Sequence, residues 1–316
     1  VNRESKHRFY LLTIHDSRFT IHDLLIMSEQ ENFSIADLIA EAAQILARAG
    51  VTEARREAMS LVEHVIARNR TFIITHPRTT LTTPGVRRLR ELVEHRAAGV
   101  PLQYITGHQE FYGLDFEVTP DVLIPRPETE LLVETALELL GEAGKPAFVC
   151  DVGTGSGCIP VALLHERANA RAIGLDISTG ALRVAARNAA RHNVRERLWL
   201  IASDCFAALH PSGARFTMIV SNPPYIAEDT LACLQREVRD HEPRGALTPG
   251  GDGLSIIRRL VADAPRFLER GGHLLLEIGF DQHEAVRQLI DTQVWQLLDI
   301  HKDLQGIPRI AALRKK

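Results

Sequence analysis

The residues best suited to chemistry in this chain are Asn222-Pro223-Pro224-Tyr225. They follow an apolar run, Phe216-Thr217-Met218-Ile219-Val220-Ser221, that reads as a buried strand. Proline fixes φ and has no N–H, so a strand ending in two prolines forms a stiff lip whose carbonyls face outward without a competing local donor. Two acceptors, the Asn222 side-chain oxygen and the Pro223 carbonyl, can then take both hydrogens of one planar –NH2 group. Tyr225 is expected to cover the face of that group. A clamp of this kind suits an amide or an exocyclic amino group, and it aims the nitrogen lone pair at a second reactant.

Three further strand ends suggest what that reactant is. A predicted strand at 147–152 runs into Asp151-Val152-Gly153-Thr154-Gly155-Ser156-Gly157, and a helix follows. Glycines let the backbone turn sharply and approach a ligand closely, although a glycine turn alone also fits an ordinary βα connection. Asp176 ends the next strand, where an acid can accept from both hydroxyls of a ribose or merely cap a surface helix. Ser203-Asp204-Cys205-Phe206 follows the third strand. Asp204 can accept from an adenine amino group, and Cys205 or Phe206 can line the face of the base. These elements fit either NAD or S-adenosylmethionine. Hydride transfer has no evident need of an –NH2 clamp, whereas methyl transfer does, so the Asn222 lip favours the methyl donor. It would then be the fourth strand's contribution to one crevice at the carboxyl ends of a parallel sheet.

The elements that must position these residues are legible from periodicity. Strands are predicted at 147–152, 171–176, 197–202 and 216–221, with helices at 128–140, 158–167 and 178–192. A helix at 253–269, a strand at 273–279, a helix at 281–291 and strands near 295–301 and 308–314 follow. Strands separated by helices imply a parallel sheet covered on both faces, and the last two are close enough in sequence to close it antiparallel. Upstream, three amphipathic helices are expected. The first follows Ser34 with Asp37 as a capping-box partner and stops at Gly50. The second runs near Glu53–Asn69. The third starts at Thr83-Pro84, ends near Gly99 and carries Arg87, Arg88, Arg90, His95 and Arg96 on its outer face. Between the two parts, 103–119 has a hairpin pattern around Gly113, and Leu123 to Glu130 is stiffened by two prolines.

Composition bounds the class. The chain has 316 residues, 45% apolar and 24% charged, as in ordinary globular proteins. A net charge of -3 argues against affinity resting on blanket attraction to phosphate. No apolar run reaches membrane-spanning length. The four cysteines show no CxxC pair or zinc-ligand spacing, which points to a reducing compartment and no metal. Residues 1–26 lack periodicity and the pattern of a secretory signal; they are expected to be a disordered or non-native leader with the start at Met27, a real extra segment being the alternative.

On these residues the chain resembles the amino-group S-adenosylmethionine-dependent methyltransferases, whose motif is [NDS]PP[YFW]. That motif is shared by enzymes acting on DNA adenine, RNA guanine and protein glutamine. The segments EFYGLDFEVTPDVLIPRPETELLVE (110–134) and EVRDHEPRGALTPGGDGL (237–254) are more specific and resemble the release-factor glutamine methyltransferase family. Arg126-Pro127-Glu128-Thr129-Glu130 favours that branch over the ribosomal-protein glutamine methyltransferases. The resemblance implies an α/β fold: a seven-stranded Rossmann-like methyltransferase domain at 128–316, a hairpin and proline linker at 101–127, and a helical substrate-recognition domain at 27–100. It implies methyl transfer in the cytoplasm to the glutamine of the Gly-Gly-Gln motif of class 1 peptide-chain release factors. S-adenosylmethionine would be held by Asp151, Gly153, Thr154, Gly155, Ser156, Gly157, Asp176, Asp204, Cys205, Phe206 and Asn222. Phe111 and Tyr225 are candidate walls of the glutamine slot, although Phe111 reads equally well as hairpin core. Arg126 and Glu128 could order the linker beside the cofactor. A nucleic-acid amino-group methyltransferase, acting on adenine N6 or guanine N2, is the alternative. Base flipping in a duplex needs a recognition domain that this chain does not present.

Overall fold

The computed structural model describes residues 33–142, 144–213 and 215–316. The expected leader and the start at Met27 lie outside the described residues. The chain divides into two compact units that part after Val93, upstream of the expected boundary at residue 100.

The first unit is helical: α1 (Ile35–Arg48), α2 (Ala54–Ile66), the short α3 (Arg70–Thr75) and most of α4 (Thr83–Ala97). Ser34 and Asp37 form the anticipated capping box, each accepting from the other's backbone N–H. Ile35, Leu38, Leu46, Leu61 and Leu89 fill the interior of this unit. The short α3 was not apparent in the sequence, and Asn69 caps it by accepting from the Phe72 N–H. The arginine face of α4 is not uniform. Arg90 forms a two-pronged bond to Glu41. Arg96, expected on the outer face, is instead buried in the second unit, where it pairs with Glu237 at 2.8 Å.

The second unit opens with α5 (Leu102–Thr106) and the strands β1 (His108–Phe111) and β2 (Leu114–Glu117). The first four residues of the expected hairpin, 103–106, are therefore part of a helical turn started at Pro101, and the hairpin itself spans 108–117 around Gly113. Tyr112 and Gly113 both have positive φ, the conformation that a two-residue hairpin turn needs. A 3-10 turn at Pro127–Thr129 then leads into α6 (Glu130–Leu140).

The remaining elements form the sheet and its cover: β3 (Ala147–Val152), α7 (Cys158–Glu166), β4 (Ala170–Asp176), α8 (Thr179–Arg191), β5 (Leu198–Ala202) and β6 (Phe216–Ser221). Two short helices, α9 (Arg236–His241) and α10 (Arg244–Leu247), precede α11 (Ser255–Asp263), β7 (Leu268–Glu277), α12 (His283–Leu289), β8 (Trp295–Lys302) and β9 (Pro308–Lys315). The sheet order is β5-β4-β3-β6-β7-β9-β8. Strands β3 to β7 pair in parallel, and β9 pairs antiparallel with both β7 and β8. This is the seven-stranded α/β architecture expected from the order of elements.

Strand residues alternate between two cores, as the pleat requires. Val149, Met218, Val220 and Leu275 face α6 and α7. Cys150, Ile219, Leu274 and Leu276 face α11 and α12. The expected helix 253–269 stops early because Pro265 follows α11, and β7 begins at Leu268 rather than at 273. Pairing with β6 jumps from Leu268 to His273, so the Gly271-Gly272 stretch lies in an irregularity between the paired segments. Among the described residues, no helix is long and apolar enough to cross a membrane.

Candidate active site

The adjacent strands β5, β4, β3 and β6 all end at one edge of the sheet. The four segments singled out in the sequence begin at those ends, so the topology brings them together. Local bonds lock the edge. The Ser221 hydroxyl donates to the Val152 carbonyl at 2.6 Å. The Gly153 and Thr154 N–H groups both donate to the Leu175 carbonyl, and the Ser203 N–H donates to the Asp176 carbonyl.

A cavity of about 420 Å³ lies at this edge. Gly153, Thr154, Gly155 and Ser156 form one wall, and Asn222, Pro223 and Pro224 form another. Asp176, Asp204 and Cys205 line the end beside β4 and β5. The Asp176 carboxylate accepts from the Gly155 and Ser178 N–H groups, each at 2.8 Å. These bonds hold its two oxygens at the cavity edge with lone pairs left for a ligand. Burial raises its pKa, and the backbone N–H bonds oppose the rise. Asp204 pairs with Arg259 at 2.9 Å, and that bond keeps its carboxyl below the usual range.

Five predicted site residues, Phe111, Asp151, Gly157, Phe206 and Tyr225, do not line the cavity. Phe111 does not line the cavity. It is 1% exposed and meets Phe116 edge-on in the hydrophobic core, because burying the ring against apolar neighbours outweighs placing it at a polar cleft. Phe206 stacks on Phe267 and does not line the cavity, so of Cys205 and Phe206 only Cys205 stands beside Asp204 in the lining. Gly157 caps α7 against Ala185, outside the lining. The Tyr225 ring packs into the core beside α11 and α12 rather than across the clamp. Its hydroxyl donates to Glu277 at 3.2 Å, and its carbonyl accepts from Gln282.

Asp151 is fully buried beneath the glycine turn, and neither carboxylate oxygen has a hydrogen-bond partner among the described residues. Burial pushes its pKa up to about 7; nearby Thr154 opposes the rise and the Asp176 charge adds to it.

Several residues of the site were not singled out in the sequence. Thr129 lines the cavity and is 2% exposed. Asn222 Nδ2 donates to its hydroxyl at 3.0 Å. That hydroxyl in turn donates to Glu277 at 2.7 Å. The signal for Glu277 was an acid closing the apolar run Leu274-Leu275-Leu276. Burial pushes its pKa up to about 7, with the Thr129 and Tyr225 hydroxyls opposing. Arg126, which the sequence did single out as able to order the linker beside the cofactor, lines the cavity and is held by Glu242, whose side chain is 1% exposed and also accepts from the Ile124 N–H. Glu128 is exposed and does not line the cavity. Asn188, fully buried on α8, donates to the carbonyls of Glu117 and Ser156 and so joins the hairpin to the glycine turn.

The arrangement leaves two acceptors at the lip. Among the described residues, none donates to Asn222 Oδ1 or to the Pro223 carbonyl. A cavity with glycine-turn and aspartate walls, facing a rigid pair of acceptors, is built to hold a flat polar ligand and to grip an –NH2 group beside it.

This fold and site define a methyltransferase. The family model described as "Methyltransferase small domain" matches residues 127–252, and the one described as "PrmC N-terminal domain" matches 37–107. The hMettl16 catalytic domain, solved with an RNA hairpin, shares the fold at a TM-score of 0.51, covering 72% of this chain and 82% of that chain at 16% identity. The particular family follows from closer relatives. The release factor glutamine methyltransferase of Nitratidesulfovibrio vulgaris is 41% identical over 284 residues, covering 89% of this chain and 95% of that protein. Its counterpart in Burkholderia pseudomallei is 45% identical over 262 residues, covering 82% and 91%. The chain belongs to the release factor glutamine methyltransferase family.

Proposed function

We propose that this protein transfers a methyl group from S-adenosylmethionine to the side-chain amide nitrogen of the glutamine in the Gly-Gly-Gln motif of class 1 peptide-chain release factors, in the cytoplasm. The observation that carries the reading is the pair of unengaged acceptors, Asn222 Oδ1 and the Pro223 carbonyl, at the edge of the cavity. A primary amide offers two N–H donors in one plane, and this pair matches it.

The residues present fit the methyl donor. Asp176 is pre-set by two backbone N–H bonds to receive hydroxyls, and Asp204 and Cys205 stand at the adenine end. The buried Asp151 carboxyl under the glycine turn has no hydrogen-bond partner among the described residues, and a cationic ligand beside it would favour its ionised form. S-adenosylmethionine supplies an electrophilic methyl group on a sulfonium centre.

Everything else is the work of the chain. An amide nitrogen is a poor nucleophile because its lone pair is delocalised into the carbonyl. By accepting both N–H bonds, Asn222 and Pro223 raise electron density on nitrogen and hold its lone pair toward the methyl group. Orientation of this type supplies up to roughly 7–11 kcal/mol in favourable cases. As the N–C bond forms at the expense of the sulfur–methyl bond, the positive charge passes to nitrogen, its protons become acidic, and one is lost to solvent water. No separate base is required. The pyrrolidine rings of Pro223 and Pro224 keep the lip from relaxing around a wrong geometry.

The test is transfer of labelled methyl from S-adenosylmethionine to purified release factor, to its Gln→Ala variant, and to DNA and RNA. Label on the wild-type factor alone is the expected result. Label on nucleic acid, or on the Gln→Ala factor at the same level, overturns the reading.

A further inference from the structure

Asn222 can act as an acceptor only if its carboxamide is turned the right way round. The two ends of a carboxamide have nearly the same shape, so the rotamer alone does not choose between them. The choice is made by hydrogen bonds behind the clamp. Glu277, at the end of β7, is 1% exposed. Its Oε2 receives the Thr129 hydroxyl at 2.7 Å and its Oε1 receives the Tyr225 hydroxyl at 3.2 Å. An ionised carboxylate cannot donate, so both hydroxyl protons point at it. The Thr129 oxygen then has only lone pairs left to offer, and it takes the Asn222 Nδ2–H at 3.0 Å.

We propose that Glu277, acting through Thr129, is the positioning residue that sets the direction of the Asn222 carboxamide and so makes Asn222 an acceptor rather than a donor toward the substrate. Turning Asn222 over would set its Oδ1 against the lone pairs of Thr129 and present an –NH2 group to the –NH2 of the substrate. Donor would face donor, and the glutamine amide would not be held. The same carboxylate anchors Tyr225, so both polar side chains of the motif are braced by one group on the neighbouring strand. Thr129 lies between the linker and α6, and Thr129 and Glu277 stand 148 residues apart in sequence. The proposal rests on the glutamine-amide reading of the site.

The test measures steady-state kinetics at pH 8 on a release factor that the wild-type enzyme methylates, with cofactor affinity followed by calorimetry. The variants are Glu277→Leu, Thr129→Val, Thr129→Ser and the double variant Glu277→Leu/Thr129→Val. With Glu277 gone, Thr129 is free to donate to Asn222 Oδ1. Misplacement of the reacting amide costs roughly 10²-fold, so kcat should fall by that order in both single variants, with KM for the factor and affinity for S-adenosylmethionine within about 2-fold. Thr129→Ser keeps the hydroxyl and should restore most of the rate. Because the residues act in series, the double variant should be no slower than the worse single one. Glu277→Leu leaves the Thr129 and Tyr225 hydroxyls without their acceptor, so its folding is checked by melting, and Thr129→Val tests the same relay independently. Wild-type kcat in a folded Glu277→Leu or Thr129→Val variant overturns the proposal, and so does a loss explained by cofactor affinity. Failure of the wild-type enzyme to label the factor would overturn the glutamine reading itself, which is a separate result.

Discussion

Gly253 lies 28 residues beyond Tyr225 and does not line the cavity, yet substituting it should slow methyl transfer. Its φ is +78°, and a Cβ added there would stand 2.2 Å from the Tyr225 carbonyl oxygen, 3.0 Å from its carbon and 3.1 Å from the Ala227 nitrogen. All three are backbone atoms, so no side chain can swing aside. A side chain in the left-handed region costs roughly 1–2 kcal/mol, and overpacking adds about 1–3 kcal/mol. Gly253→Ala should therefore lose about 2–5 kcal/mol, a fall in Tm on the order of 10 °C. Restoring an ordinary contact means parting the two segments by roughly 1 Å. The Tyr225 carbonyl is also tied to Gln282 at 2.8 Å, so the displacement is passed to the lip rather than absorbed. A shift of that size can cost about 10²-fold in rate. Gly251 is the control: its φ is +56°, but nothing lies within 4 Å of an added Cβ. Gly251→Ala should show the strain without the displacement and keep kcat. Melting curves and release-factor methylation under saturating cofactor measure both effects. If Gly253→Ala melts and turns over like Gly251→Ala, the 237–254 segment is not what supports the lip.

Asn222→Ala should lower kcat by about 10²–10³, as loss of one preorganised polar contact does, while calorimetric affinity for S-adenosylmethionine persists; near-normal turnover would remove the clamp. Asp151 keeps its proton up to about pH 7 in the folded chain, against roughly 4 for an exposed aspartate. Between those values the folded state binds the extra proton, so stability falls as pH rises from about 4 to 7 and levels off above. In Asp151→Asn, urea unfolding from pH 4 to 8 should show a shallower fall, together with weaker cofactor binding; an unchanged slope would count against the buried carboxyl. Glu242→Ala removes the partner of Arg126 and of the Ile124 N–H. It should cost about 1–3 kcal/mol, read by denaturant unfolding, and raise KM for the factor as the linker wall loosens.

Local pattern determined much of this protein. Strand–helix alternation, the glycine turn after Val152 and the acid ending β4 are all written in short stretches, because pleat and helix periods record which face is buried. The Asn222-Pro223-Pro224 lip is equally local, since proline stiffens its own backbone. The family was legible for the same reason, in the two continuous segments around that lip. Side-chain direction was not. Phe111, Phe206 and Tyr225 are aromatic residues at motif positions, and nothing in their neighbours says whether a ring turns to the cleft or to the core. Arg96 looked like surface until Glu237 was placed beside it. Thr129 is 93 residues from Asn222 and 148 from Glu277, so its relay exists only after β6 and β7 pair and α6 packs against them. A hydrogen bond is decided within a few tenths of an ångström, and only the folded sheet sets separations that fine between residues so far apart in the chain.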